Sequence, residues 1–325
     1  MKNDTARPSL ATVLAARPAV YRYVHRTPLH YNPGLSELVG ASVHVKHENH
    51  HAIGAFKVRG GVHLATHLTD AEHRAGLYTA STGNHGQSIA FAGQVTGTKV
   101  RVAVPEGANP AKIASMRHLG AEVVTHGVDF DEAREWMCGE ADRAGARFIG
   151  PTDAELISGV GTYALEILED LPETDVIIVP VGAGSGASSV CLVAKTIKPE
   201  VQVIAVQAER APAVYRSWKE GAVVPAPMET AAEGLATRVA FDNTLEILRD
   251  ERIGLDDFVL VGDEAMAEGV RLFLEHTRNL VELAGAASLA AALNLRDRLK
   301  DKKVVLVVSG GNVTLQQLRS LLAIA

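Results

Sequence analysis

Six short runs rich in β-branched residues restrict the fold most strongly. They are VHVKH (43–47), KVRVAVP (99–105), EVVTH (122–126), DVIIVPV (175–181), VQVIAVQ (201–207) and KVVLVVS (303–309), separated by longer segments of helical apolar period. Strand and helix signals in alternation specify an α/β protein with mainly parallel sheet, because a connection long enough to hold a helix returns the next strand parallel to the last. Several runs are apolar at consecutive positions, as strands covered by helices on both faces must be. Each ends in glycine, proline or a polar stretch, and ligands of such sheets collect beyond the carboxyl ends of the strands. Between the runs, AKIASMRHLG (111–120) and GTYALEILEDL (161–171) carry apolar residues at helical spacing, with Gly120 placed to end the first. A chain of 325 residues exceeds one small core, so two lobes are expected. The topology sets their boundaries near 75 and 153, giving a large domain of residues 1–75 and 154–325 and a small one of 76–153.

The formal charge of -6, with no run of Lys or Arg, lacks the basic footprint of a nucleic-acid-binding protein. Cys138 and Cys191 lie far apart, so neither a disulfide framework nor a thiolate zinc site is indicated. Asp4, Arg7 and Arg17 interrupt the apolar stretches of the N-terminus, and no later run reaches transmembrane length. A cytoplasmic protein with no membrane or nucleic-acid partner is expected.

Four glycine-rich segments carry candidate chemistry. STGNHGQ (81–87) follows the short run GLYTA and precedes the helical SIAFAGQV. Ser81 or Thr82 is placed to cap that helix, whose first N–H groups form an anion site. GAGSGA (182–187) follows a strand and is placed to cradle a phosphate at the next helix start. Its Gly182, Gly184 and Ala187 also satisfy a dinucleotide fingerprint, with Glu209 near the position of the ribose-binding acid. SGGN (309–312) brings a hydroxyl, Ser309, to the end of the last strand. GAFKVRGG (54–61) sets Lys57 behind Phe56 and ahead of Gly60 and Gly61, whose missing side chains permit close backbone approach. His47 and His51 have the i, i+4 spacing of a metal pair, but on a strand and loop that spacing does not bring two rings together. No metal is expected. No G-x-S-x-G elbow occurs.

Taken in order, KHENHHAIGAFKVRGG, STGNHGQ, GAGSGA, AAEGLATR, VELAGAASLAAAL and SGGN resemble the serine/threonine dehydratases and serine racemases of the fold-type II pyridoxal-phosphate enzymes. The resemblance runs from about residue 25 to the end. It implies two open, mainly parallel α/β domains with pyridoxal 5'-phosphate between them, the large domain binding the cofactor, and a homodimer acting on a small amino acid. Lys57 would be the lysine that joins the cofactor covalently, Phe56 would pack on its ring, and Asn84 would bond the ring hydroxyl oxygen. Gly182, Ala183, Gly184, Ser185 and Gly186 would hold the phosphate, and Ser309 would face the pyridine nitrogen. Ser81, Thr82, Gly83, Asn84 and His85 would bind the substrate α-carboxylate. The reaction implied is a deaminating dehydration. The released Lys57 amine takes the α-proton and the β-hydroxyl leaves, giving a 2-oxo acid and ammonia.

Some positions depart from the family pattern. Ala55 stands where serine is usual, and Val160 where glutamine is common. Gln207 and Ala213 stand where racemase-type members have acidic cation ligands, so that cation site is not expected. No regulatory domain is expected after Ala325, nor allosteric control through one. Serine, threonine, 3-hydroxyaspartate and 3-phenylserine all remain open as substrates, with Arg238 a candidate for an anionic β-group. Thr82 keeps the hydroxyl that racemases place at this position. Its methyl group and a helix-capping role favour elimination, with a serine racemase as the alternative. A nicotinamide-dependent dehydrogenase explains GAGSGA but leaves Lys57 idle, and a non-catalytic binding protein has little reason to keep Lys57 and Ser309.

Overall fold

All six runs form strands, and four further strands join them. In chain order they are β1 (Leu29–Tyr31), β2 (Ser42–His47), β3 (Leu77–Ala80), β4 (Val100–Val104), β5 (Glu122–Thr125), β6 (Arg147–Phe148), β7 (Val176–Pro180), β8 (Gln202–Ala208), β9 (Asp257–Val261) and β10 (Lys303–Val308). The computed structural model describes residues 7–322. Asp4 and Ala325, on which two of the sequence expectations turn, lie outside the described residues.

The strands make two sheets. The larger has the order β1-β2-β10-β7-β8-β9 and the smaller β5-β4-β3-β6. Every pair is parallel except β1 with β2. Consecutive apolar residues in the central strands are explained by burial on both faces. Val176, Ile178, Ile204, Val206, Val304 and Leu306 share one core cluster with Ala286, Leu289 and Ala290 of the helix Leu283–Asn294. The alternate residues Ile177, Val179, Val203, Ala205, Val305 and Val307 are equally buried. Of the four further strands, β3 forms from the short run GLYTA, and the ones that no run announced are β1, β6 and β9. Two of them are very short, and β1 and β9 are edge strands with half-exposed positions that dilute the signal.

The chain divides into two compact units. One contains the described residues up to His25 together with Lys57–Val160, and the other contains Arg26–Phe56 and the chain from Gly161 onward. The topological reading placed residues 1–75 and 154–325 together, whereas here the described residues up to His25, with 57–75 and 154–160, group with the small sheet. The physical reason is helix packing. Gly60 and Gly159 let the helices Lys57–Ala65 and Ala154–Val160 touch backbone to backbone: a Cβ on Gly60 would lie 2.7 Å from the Leu156 carbonyl oxygen, and one on Gly159 would lie 2.5 Å from that of Arg59. Gly61 faces the helix Asn84–Thr96 in the same way, its Cβ position 2.4 Å from Ser88 Oγ. The glycine pair after Lys57 thus serves close packing of helices.

Inside the larger unit a charged network lies among apolar strands. Lys46 of β2 and Glu166 are fully buried, with Lys46 Nζ donating to Glu166 Oε2 at 2.5 Å and to the Thr27 carbonyl at 2.8 Å. The Thr27 hydroxyl donates to Glu48 Oε1 at 2.5 Å, and His51 Nε2 lies 3.1 Å from Glu48 Oε2. Hydrogen-bonded pairing is what lets charges sit there. The network anchors the end of β2 and the turn after it, from which the chain runs on to Phe56. His47 stacks on His50 with ring centroids 4.8 Å apart, so His47 and His51 go to different partners.

Candidate active site

In the larger unit, the turn after β7 starts the helix Ser185–Ile197, with Gly184 as N-cap at φ +100 and no side chain capping it. Only glycine adopts that backbone without strain. The turn is pressed against its neighbours: a Cβ on Gly182 would lie 2.2 Å from the Gly234 carbonyl, and one on Gly184 would lie 2.9 Å from Thr244 Oγ1. Thr244 Oγ1 donates to the Ala183 carbonyl at 3.0 Å, and Tyr163 Oη donates to that of Gly186 at 3.1 Å. The Tyr163 ring meets Phe56 edge-on at 6.2 Å. Phe56 N–H donates to the Ser309 carbonyl at 3.1 Å, and Ala55 bridges Gly310. Phe56, residues 182–186 and Ser309 are therefore brought together. The Ser309 hydroxyl makes no hydrogen bond among the described residues, although the residue is buried.

In the smaller unit, Lys57 opens the helix Lys57–Ala65. Its Nζ donates to the Pro151 carbonyl at 3.4 Å, and burial lowers its pKa from 10.5 to about 8. The Lys57 carbonyl accepts from Ser88 Oγ at 2.6 Å, which joins it to the helix Asn84–Thr96. Residues 81–85 follow β3 into that helix. Its N-cap is Gly83, and no side chain caps it. The expected capping by Ser81 or Thr82 is therefore corrected: Ser81 Oγ accepts from Gly83 N–H at 3.2 Å, one residue short of the helix, and the Thr82 hydroxyl bonds no described residue. His85 turns inward, with Nε2 3.0 Å from Thr79 Oγ1. Burial and the neighbouring Lys57 hold it neutral, with a pKa of about 3.

Other candidates lie elsewhere in use. Gln207 is buried, and its Oε1 accepts from Tyr215 N–H at 3.0 Å, starting the helix Ala213–Glu220. The Glu209 carboxylate sits beside Gly262. Arg238 is exposed. Sequence reasoning missed Tyr163, Thr244 and Pro151. The first reads as one more apolar residue of a helix, and the others come from distant segments with no local signature.

Pyridoxal phosphate fits these residues chemically. A turn of small residues at the start of a 13-residue helix suits a phosphate. A half-buried amine whose pKa desolvation has lowered is neutral in a useful fraction and therefore nucleophilic. The hydroxyl of Ser309, which bonds no described residue at the end of β10, suits a neutral ring nitrogen.

The fold and these residues define a pyridoxal-phosphate enzyme of fold type II, and comparison with known proteins agrees. The chain belongs to the family described as pyridoxal-phosphate dependent enzyme, whose profile matches residues 20–310. It is 38% identical over 307 residues to L-threonine ammonia-lyase of Thermotoga maritima, covering 94% of this chain and 76% of that protein. It is 32% identical to serine racemase of Dictyostelium discoideum, covering 97% of this chain and 98% of that one. The processed form of threonine deaminase isoform 2 from Solanum lycopersicum superposes with a TM-score of 0.91 at 29% identity, over 96% of this chain and 91% of that one. The chain is thus a pyridoxal-phosphate-dependent enzyme with the relatives of a lyase. No helix among the described residues is long and apolar enough to cross a membrane.

Proposed function

We propose that this enzyme is a deaminating dehydratase of L-threonine and L-serine, releasing a 2-oxo acid and ammonia. The observation that carries the reading is the Lys57 amine, half-buried, donating to the Pro151 carbonyl and brought down to a pKa of about 8 at the head of its helix. In this reading Lys57 holds the cofactor and, when released, takes the substrate α-proton as a general base. Residues 182–186 bind the phosphate, Phe56 packs on the ring, Asn84 bonds its hydroxyl oxygen, and Ser309 faces its nitrogen. The start of the helix Asn84–Thr96 binds the α-carboxylate, using amides that a helix leaves without partners inside itself. When bound, the cofactor supplies the electron withdrawal that loosens the α-proton. The 38% identity to a threonine ammonia-lyase supports elimination as the main reaction.

A serine racemase is the second reading, and one observation favours it. Thr82 keeps its hydroxyl and does not spend it on capping the helix, so it remains available to move a proton. Incubating L-serine with the holoenzyme in deuterium oxide separates the two. Pyruvate forming faster than D-serine is the expected result, and D-serine forming faster would replace the dehydratase by the racemase. Ammonia release across threonine, serine, 3-hydroxyaspartate and 3-phenylserine is expected to be greatest for the first two.

The phosphate assignment has its own test. Gly184→Ala sets a Cβ 2.9 Å from Thr244 Oγ1 at φ +100, a strain of about 1–3 kcal/mol. Cofactor affinity, titrated by absorbance on stripped protein, is expected to fall about 5- to 100-fold. Unchanged affinity would remove the turn from the site.

A further inference from the structure

Four hydrogen bonds fasten the segment between β6 and Pro151. Ile149 N–H donates to the Tyr78 carbonyl at 2.7 Å, and Gly150 N–H donates to Asp153 Oδ1 at 3.2 Å. The Ile149 carbonyl receives the Thr79 hydroxyl at 2.8 Å and lies 3.3 Å from His85 Nε2. Two residues on, the Pro151 carbonyl accepts from Lys57 Nζ. The place of that acceptor is thus set by β3, through Thr79, and by the helix Asn84–Thr96, through His85.

The proton count determines the state of the ring. Thr79 has one hydroxyl proton and gives it to Ile149, so it can only accept from His85. The Ile149 carbonyl also only accepts. Nε2 must therefore carry the hydrogen, and Nδ1 is bare, buried and without a hydrogen bond among the described residues. An imidazolium here would put a second positive charge beside the Lys57 amine.

We infer that Thr79 and His85 are positioning residues for Lys57, holding the Ile149–Pro151 segment so that the Pro151 carbonyl receives the lysine amine whenever it is not bonded to the cofactor. The inference rests on Lys57 being the cofactor lysine. Thr79 acts through Ile149 and touches neither substrate nor cofactor in this role. A residue that only supports the fold would alter stability without selectively altering the rate at which Lys57 reacts.

Thr79→Val keeps the side-chain shape and removes the hydroxyl, and Thr79→Ser restores it. With L-threonine, Thr79→Val is expected to lower kcat about 10- to 100-fold while KM changes less than about 3-fold, and Thr79→Ser to recover most of the loss. Stripped protein resupplied with pyridoxal phosphate gives a readout independent of turnover: growth of the visible absorption is expected to slow about 10-fold in Thr79→Val and to recover in Thr79→Ser. Nitrogen NMR of the His85 ring in the unmutated, cofactor-free chain, assigned by difference with His85→Gln, is expected to show the neutral Nε2–H form at neutral pH. That measurement stands even where Thr79→Val fails to fold. A charged or Nδ1–H ring, or wild-type kcat and capture rate in Thr79→Val, would overturn the inference. Failure of the Lys57 assignment looks different, because Lys57→Ala would then keep its visible absorption and its turnover.

Discussion

Lys57→Ala is expected to reduce oxo-acid release by about 1,000-fold or more, because covalent capture of the cofactor and the α-proton base are lost together. The visible absorption of the holoenzyme should disappear, while the phosphate turn still binds the cofactor reversibly. Near-normal turnover would refute the assignment. The same residue is expected to weaken the cofactor-free protein. Burial lowers its pKa from 10.5 to about 8, and a shift of that size corresponds to about 3 kcal/mol. The folded-state pKa of a cation is depressed here, so the penalty is present in full below about pH 8 and is relieved as pH rises toward 10.5. Lys57→Met, which keeps the apolar stem, should therefore unfold at higher urea than the stripped wild type at neutral pH. The difference should shrink above pH 8. A gain of stability on removing a site residue is the usual mark of a group kept for chemistry.

The second large effect is structural. Glu166→Gln removes the carboxylate that faces the fully buried Lys46 ammonium. Breaking one half of a buried pair costs about 3–5 kcal/mol, because the other charge stays in a medium that solvates it poorly. Urea unfolding of Glu166→Gln should show a loss of that order. The double variant Lys46→Met, Glu166→Leu should recover much of it, since removing both charges also removes the desolvation cost. A loss of only a few tenths of a kcal/mol in Glu166→Gln would mean that water reaches the pair. The effect on function should be indirect, through the end of β2 and the chain leading to Phe56.

Much of the fold was legible because both-face burial leaves a strong mark. DVIIVPV and KVVLVVS, apolar at nearly every position, have few alternatives to central strands. Edge strands β1 and β9 were not legible, because half their positions face outward and follow no apolar rule. The turn 182–186 was visible as a cluster of small residues after a strand. Its braces, Thr244 and Tyr163, were not, since a threonine 58 or more residues away has no reason in its own neighbourhood to be there. The hydroxyls of Ser81 and Thr82 suggested a cap by local rule, but the helix begins at Asn84 behind Gly83, too late for Thr82 to cap it.

By itself the sequence determined the class of fold, its central strands and the presence of an amine, a glycine-rich turn and a lone hydroxyl in an order matching one enzyme family. Those features depend on local periodicity and on residue types that only certain chemistry needs. Tertiary structure alone decided that Gly60 and Gly61 serve helix packing, that desolvation lowers the Lys57 pKa to about 8, and that His85 turns inward to Thr79. Each of these depends on which distant backbone or side chain lies within a few ångströms. Burial, proton sharing and close approach are properties of those neighbours, and no local pattern encodes them.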